Sequence, residues 1–241
     1  MELCDSIPEI DRIQPNAASS ESTGANTEVW NLQKKIQAQR IAGSSEDTLL
    51  LVEHEPVYTL GKNADKNHLL QHYPDNVQIF QIERGGDITF HGPGQLVGYP
   101  ILDLHNYKKS VSWYMRSLEQ VIINTLQKYG IKGEQKEDLT GVWIKDKKIA
   151  AFGVRLSKWV TMHGFALNVN TDLKYYNGMI PCGIFECGVT SISKHTNMQF
   201  ETKNIAYMYS EYFHYKNLPP LVRDYLNYKY KLPHHLILKI L

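Results

Sequence analysis

Cys182 stands in Ile180-Pro181-Cys182-Gly183-Ile184. Pro and Gly on either side place it on a turn, where a side chain can be presented to a cleft. A cysteine attacks as its thiolate, so it needs a cationic or basic neighbour to bring its pKa down from about 8.5. The chain offers Lys148, His91 and His163. Lys148 follows Lys147 at a turn and opens an apolar strand, Ile149-Ala150-Ala151-Phe152-Gly153, whose alternation aims one of the two amines inward. Lys147 reads as the surface member of the pair. His163, in Thr161-Met-His-Gly-Phe-Ala-Leu-Asn168, is either a site residue or a core histidine bonded to backbone. Cys182 itself has two other readings. One is a buried structural thiol. The other is a metal ligand with Cys187 and His195, but that spacing fits no common zinc pattern and no fourth ligand is evident, so no metal is expected.

Residues 84 to 98, Arg-Gly-Gly-Asp-Ile-Thr-Phe-His-Gly-Pro-Gly-Gln-Leu-Val-Gly, hold five glycines and a proline in fifteen positions. Glycine serves where φ is positive or where another group comes close to the backbone. The stretch therefore predicts a shaped loop with exposed amides, carrying Arg84, Thr89 and His91. Such a loop suits a carbonyl or anionic oxygen. It has no Gly-Lys-Ser/Thr ending and no strand–GxGxxG–helix setting, so it is neither a P-loop nor a dinucleotide fingerprint.

The elements that must position these groups follow from periodicity. A helix is expected from Thr27, with Val29, Leu32 and Ile36 on one face and Gly43 as its stop. Thr48–Val52 and Val57–Leu60 read as two strands around the turn His54-Glu55-Pro56. Val77–Glu83 alternates and leads into the glycine-rich loop, which a strand Gln95–Asp103 follows. Ser112–Tyr129 is the longest helix, capped by Ser110 or Ser112, with Trp113, Met115, Leu118, Ile122 and Leu126 inward and Gly130 at its end. Gly141–Lys145, Lys148–Leu156 and Trp159–Asn170 are strand-like, with a hairpin turn at Asp146-Lys147. A last helix covers Asn204–Tyr215. The expected fold is α+β: a mostly antiparallel or mixed sheet with flanking helices.

The 241 residues suffice for one core, with 42% hydrophobic and 21% charged residues and a net charge of +1. That charge gives no footprint for nucleic acid, and no segment has the roughly 18 apolar residues of a membrane span. The first residues lack a basic, apolar leader, and three cysteines make a poor disulfide framework, so the expected compartment is the cytoplasm.

Four blocks together resemble the lipoyl(octanoyl) transferase family. The first is Trp30-x-x-Gln33 with Thr48-Leu-Leu-Leu-Val-Glu-His-Glu-Pro-Val-Tyr-Thr-Leu-Gly61. The second runs from Arg84 to Pro100 and on to Leu102-Asp-Leu104. The third is Gly141-Val-Trp143, Lys148-Ile-Ala-Ala-Phe-Gly-Val-Arg155 and His163-Gly-Phe-Ala-Leu-Asn168. The fourth is Ile180-Pro-Cys-Gly183 with Val189-Thr-Ser191. The likeness runs from about residue 28 to 213. It leaves out the first 27 residues, read as a flexible lead-in, and the tail 216–241. The family usually carries Tyr four positions before the Trp, where this chain has Asn26.

The resemblance implies a catalytic domain over 28–215 with the fold of biotin and lipoate protein ligases. It implies ping-pong transfer of an octanoyl group from octanoyl-acyl carrier protein to Cys182. The group then passes to a specific lysine of lipoyl domains in 2-oxoacid dehydrogenases and the glycine cleavage carrier protein. Lys148 would partner Cys182. Arg84, Gly85, Gly86, Asp87, Ile88, Thr89, Phe90 and His91 would bind substrate. So would Ala151, Phe152 and Gly153, together with His163, Gly164, Phe165 and Ala166. No cofactor is implied beyond the donor's phosphopantetheine, and family members are usually monomers. Three rivals stand. One is an ATP-dependent lipoate or biotin ligase, which needs no nucleophilic Cys and commonly carries Arg-Arg before a longer Gly run. Another is an amidotransferase moving octanoyl between carrier proteins, and the third is a non-catalytic carrier-binding protein.

Overall fold

A computed structural model describes residues 25–70, 73–74, 76–180, 188–215 and 237–240. Cys4, Cys182, Cys187 and most of the terminal extensions lie outside the described residues. Helix α1 spans Ala25–Ile41, starting two residues before the expected point, and Gly43 follows it at φ +72°. Strand β1 is Thr48–Val52, β2 is Val57–Leu60, β3 is Gln78–Gln81 and β4 is Ile88–His91. Then come β5 (Gln95–Ile101), α2 (Val111–Gln127), β6 (Glu134–Lys136), β7 (Leu139–Ile144), β8 (Lys147–Ser157) and β9 (Val160–Asn168). The chain continues through β10 (Gly188–Val189), α3 (Ile192–Thr196), α4 (Thr202–Tyr215) and β11 (Ile237–Ile240).

The large sheet has the order β11-β1-β5-β9-β8-β7-β6, with β10 pairing on β8; the small one has the order β3-β2-β4. Alternation along β1 builds a core on each face of the large sheet. Leu49 and Leu51 join Ile122 and Leu126 of α2 and Ile205 and Tyr209 of α4 on one face, while Leu50 and Val52 join Ile36 of α1 on the other. Most pairings are antiparallel, as the alternating patterns require; β11–β1, β10–β8 and β2–β3 are parallel. The apolar end of the tail, left unassigned by the sequence, thus supplies the edge strand beside β1.

Four local expectations are corrected. β1 and β2 form no hairpin, because the edges of β1 are taken by β5 and β11 and β2 finds its partners in β3 and β4. The middle of the glycine-rich stretch is a strand, since Ile88 and Phe90 of β4 bury themselves in the small sheet's core with Tyr58 and Leu60. The β7–β8 turn is Lys145-Asp146, with Lys145 at φ +57°, so Lys147 is already in the strand. The inner face of α2 carries Tyr114, Leu118, Val121, Ile122 and Leu126; Trp113 and Met115 are only partly buried. Ser110 is its N-cap.

Two strands approach through glycine alone. A Cβ on Gly164 of β9 would collide with the Gly98 carbonyl of β5, and one on Gly98 would strike the Phe165 ring. Gly164→Ala is expected to destabilise the fold by about 3 kcal/mol or more, the upper range for forcing atoms into a packed core. A urea midpoint equal to that of the parent protein would refute this.

Candidate active site

Alternation in β8 decides the fate of the two lysines. Lys147 is exposed and Lys148 is 9% exposed. Register puts Lys148 opposite Trp143 of β7 and Val189 of β10. A bulge in the β7–β8 pairing falls at Val142/Trp143. The Lys148 Nζ lies 4.7 Å from the centroid of the buried Trp143 ring, a cation–π distance. Gly141 leaves room for this side chain, since a Cβ there would meet the Lys148 Cε at 3.1 Å. Its N–H donates to the buried Glu119 carboxylate at 2.8 Å. That carboxylate also accepts from the Arg116 guanidinium at 2.8 Å.

Lys148 opens into a cleft of about 290 Å³ between the two sheets, floored by Ala150 and Ala151 and walled by Ile88, Thr89, Asn168 and Met179. Asn168 is fixed rather than free. Its side-chain amide donates to the Thr190 carbonyl at 3.0 Å, and its oxygen accepts from Gln95 at 2.9 Å and Tyr176 at 3.1 Å. Gln95 Oε1 accepts from Nδ1 of His91 at 2.9 Å, which sets that imidazole's tautomer.

A second cavity, of about 410 Å³, lies on the same side of the small sheet and holds Trp30, His54, His91, Tyr99 and His163. The register pairs Thr59 with Thr89 and Val57 with His91. Thr89 and His91 therefore share one face of β4, one at each cavity, about 7 Å apart along the strand. The two cavities therefore lie one beyond the other along that face of β4. His54 Nε2 accepts from the Tyr99 hydroxyl at 2.6 Å and its Nδ1 meets the Asn26 oxygen at 2.8 Å. His163 sits in the left-handed region at φ +61°, its N–H donating to Gln33 at 3.1 Å. A non-glycine residue there carries strain of about 1 kcal/mol or more.

Burial holds all three histidines neutral: His54 is lowered to about 4, His91 to about 3 and His163 to about 4, with Arg84's positive field adding to the last two. Unfolded imidazoles titrate near 6.5, so between 6.5 and these lower values the unfolded chain binds protons that the folded chain refuses. Stability is complete above pH 6.5 and falls as the pH drops toward 4. Between pH 7.5 and 5.5 the loss is expected to reach about 4 kcal/mol, roughly 1.4 kcal/mol from each of the three histidines. Urea titrations at the two pH values measure it; equal unfolding free energies would contradict the buried neutral state.

The remaining expected site residues are distributed as follows. The Arg84 guanidinium is engaged by the protein, donating to the Thr59 hydroxyl at 3.0 and 3.2 Å, to the Thr59 carbonyl at 2.5 Å and to the Gly85 carbonyl at 3.0 Å. Gly85 N–H donates to the Val154 carbonyl at 3.0 Å, and a Cβ on Gly153 would press within 2.9 Å of the Gly85 carbonyl, so the glycine-rich turn lies directly on β8. Gly86 takes φ +85°. Asp87 bonds His68 Nδ1 at 2.5 Å and the Asp65 N–H at 3.1 Å. Phe90 stacks on Tyr175 at 4.6 Å inside the small sheet's core, away from the gap. The Phe152 and Phe165 rings pack on the face of the large sheet covered by α2 and α4. Ala166 packs beneath α1, and Gly164 against Gly98. The structure therefore brings Lys148, Ile88, Thr89 and Ala151 to one cleft and His91 and His163 to the other. The sequence reading missed His54, Gln95, Asn168 and Tyr176. Three of them sit in the quoted motifs, but nothing in a motif says which side of a strand faces the gap. Among the described residues no three His, Cys, Asp or Glu side chains gather as a metal site, and no described helix is long and apolar enough to cross a membrane.

A sheet with helices on both faces, a small second sheet and a lysine in the cleft between them make up the fold of the lipoate protein ligases. An archaeal bipartite lipoate protein ligase from Thermoplasma acidophilum has the same fold, at a TM-score of 0.56 and 15% identity over 85% of this chain and 89% of that one. Residues 26–214 match the model of the lipoyl protein ligase A/B catalytic domain. The octanoyltransferase of Gloeobacter violaceus is 51% identical over 156 residues, 64% of this chain and 70% of the relative. That of Caldicellulosiruptor saccharolyticus is 43% identical over 192 residues, 76% and 80%. The chain belongs to the octanoyltransferase family within the lipoyl protein ligase A/B group, and it is an acyltransferase.

Proposed function

We propose that this enzyme takes the octanoyl group of octanoyl-acyl carrier protein onto Cys182 as a thioester and passes it to a lysine of a lipoyl domain, the first step of protein lipoylation. The observation that carries the reading is the buried Lys148 amine in a cleft walled by Ile88, Thr89 and Met179, with a second cavity further along the same face of β4. An acyl chain whose carbonyl lies beside Lys148 reaches that cavity along the Thr89–His91 face of β4. Met179 before Cys182 and Val189 after it both line the Lys148 cleft.

In the first step the Cys182 sulfur attacks the thioester carbonyl, and the phosphopantetheine thiol leaves with a proton. In the second, the acceptor lysine's nitrogen attacks the Cys182 thioester, an amide forms and the thiol is regenerated. Lys148 as an ammonium stabilises the thiolate, and as an amine accepts the incoming lysine's proton. Amides of the glycine-rich turns and of β8 and β9 would donate to the oxyanion. Thioester exchange is near thermoneutral and amide formation runs downhill, so neither ATP nor another cofactor is required. The acceptors would be lipoyl domains of 2-oxoacid dehydrogenases and the glycine cleavage carrier protein, met by a monomer in the cytoplasm. The Thermoplasma ligase of the same fold is described together with its E2 lipoyl domain.

The test is intact-protein mass after mixing with octanoyl-acyl carrier protein and no ATP. A gain of one octanoyl group, lost on hydroxylamine treatment, is expected. An adduct only with an octanoylated lipoyl domain would indicate an amidotransferase. No adduct with either, and ATP-dependent use of free octanoate, would make the enzyme a ligase.

A further inference from the structure

The rim beside the Lys148 cleft carries charge for which the transfer chemistry has no use. β8 pairs in parallel with β10, Gly188 opposite Lys147 and Val189 opposite Lys148. Lys148 turns into the cleft; Lys147 points out, and Lys145 two residues earlier is exposed too. A Cβ on Gly188 would touch the Lys147 Cγ at 3.3 Å, so the Lys147 stem lies along β10. Beyond β10, the Thr190 N–H donates to the Lys148 carbonyl at 3.0 Å, and the Thr190 hydroxyl meets His195 Nε2 at 3.0 Å. Ser191 caps α3, on which Lys194 and His195 are exposed.

These cations feel one another: His195 is held below the ordinary imidazole value by burial first, then by Lys147, Lys194 and Lys145. None of the three lysines pairs with a carboxylate among the described residues. Asp146 is the acidic residue of the same turn, and Met198, 59% exposed just past α3, adds an apolar contact. A cluster of like charges with few internal counterions is relieved when an acidic surface covers it, and it speeds the encounter with that surface.

We propose that Lys145, Lys147 and Lys194 dock the acidic face of the carrier protein that delivers the acyl thioester; this rests on the donor assigned under the proposed function. Lys147 is the strand neighbour of Lys148, and β10, on which its stem lies, also supplies Val189 to the cleft, so a domain docked on this rim sits beside the cleft without having to enter it. That suits a domain reaching the cleft through a long prosthetic arm better than one presenting a lysine side chain.

The test uses the full chain with Lys147→Glu, Lys194→Glu and both together. KM is measured for octanoyl-acyl carrier protein, for octanoyl-pantetheine, which has an arm but no protein, and for the lipoyl domain. The double variant is expected to raise KM for the carrier substrate at least about tenfold with kcat unchanged, and to flatten its salt dependence. Turnover of octanoyl-pantetheine should stay the same. An unchanged carrier KM overturns the docking surface. So does a rise confined to the lipoyl domain, or an equal loss with octanoyl-pantetheine. If the parent protein transfers octanoyl from neither thioester, the proposed function fails. Fluorescence anisotropy with labelled carrier protein then decides the rim separately, by weakened binding or none.

Discussion

Lys148→Ala is expected to lower kcat by about a thousandfold, within the range a positioned acid–base group supplies. The melting temperature should move by no more than a few degrees. The side chain is 9% exposed, and its ammonium lies 4.7 Å from the Trp143 ring. Truncation removes a cation from a confined place, so the fold loses a cation–π contact and is relieved of a buried charge, two effects of similar size and opposite sign. In the proposed mechanism the reaction loses the group that stabilises the thiolate and accepts the acceptor's proton. Lys148→Arg is not expected to restore activity, because guanidinium keeps its protons and cannot act as a base. Acyl-enzyme formation and its breakdown by a lipoyl domain, followed separately by mass, check each role. Full turnover in either variant would remove Lys148 from the mechanism.

Cys182→Ser is expected to abolish the hydroxylamine-sensitive octanoyl adduct and to leave no measurable transfer. A serine hydroxyl is far less ionised than a thiol beside a cation, and an oxygen ester would also be a poorer acyl donor to the second substrate. Cys187→Ser, which lacks the Pro-Cys-Gly setting, and Cys4→Ser are the controls and should turn over normally. Normal transfer by Cys182→Ser would end the covalent mechanism and return the chain to the ligase reading. The pair of variants also separates the two lysine roles. If Lys148→Ala still forms the adduct slowly but cannot discharge it, proton acceptance matters more than thiolate stabilisation.

Much of this protein is legible along the chain. The helices α1 and α2 announce themselves by apolar spacing and by Ser110, Gly43 and Gly130 at their ends. Strands β7 to β9 follow from alternation. The family follows from motif order, because Arg84–Gly98, Lys148–Arg155 and His163–Asn168 are each local runs of special residues. The inward aim of Lys148 also follows, because neighbouring residues on a strand must face opposite ways.

What the chain alone could not decide is what each motif residue faces. Arg84 looks like a ligand donor in sequence, yet its guanidinium is bound to Thr59 and Gly85, which lie 25 and one residue away along the chain. Phe90 sits among site residues in sequence, but the two-residue period of β4 turns it into the core while Thr89 and His91 face the gap. β2 leaves β1 for another sheet because β11, nearly two hundred residues later, and β5 occupy the edges that a local hairpin would have used. The three neutral histidines meet at one cavity only when the β1–β2 connection, β4 and β9 are assembled. Sequence thus determined the family, the helices and the inward aim of Lys148 through local period and composition. Tertiary structure decided the shape of the Lys148 cleft and the charged rim beside it, because both are made by pairings between residues far apart in the chain.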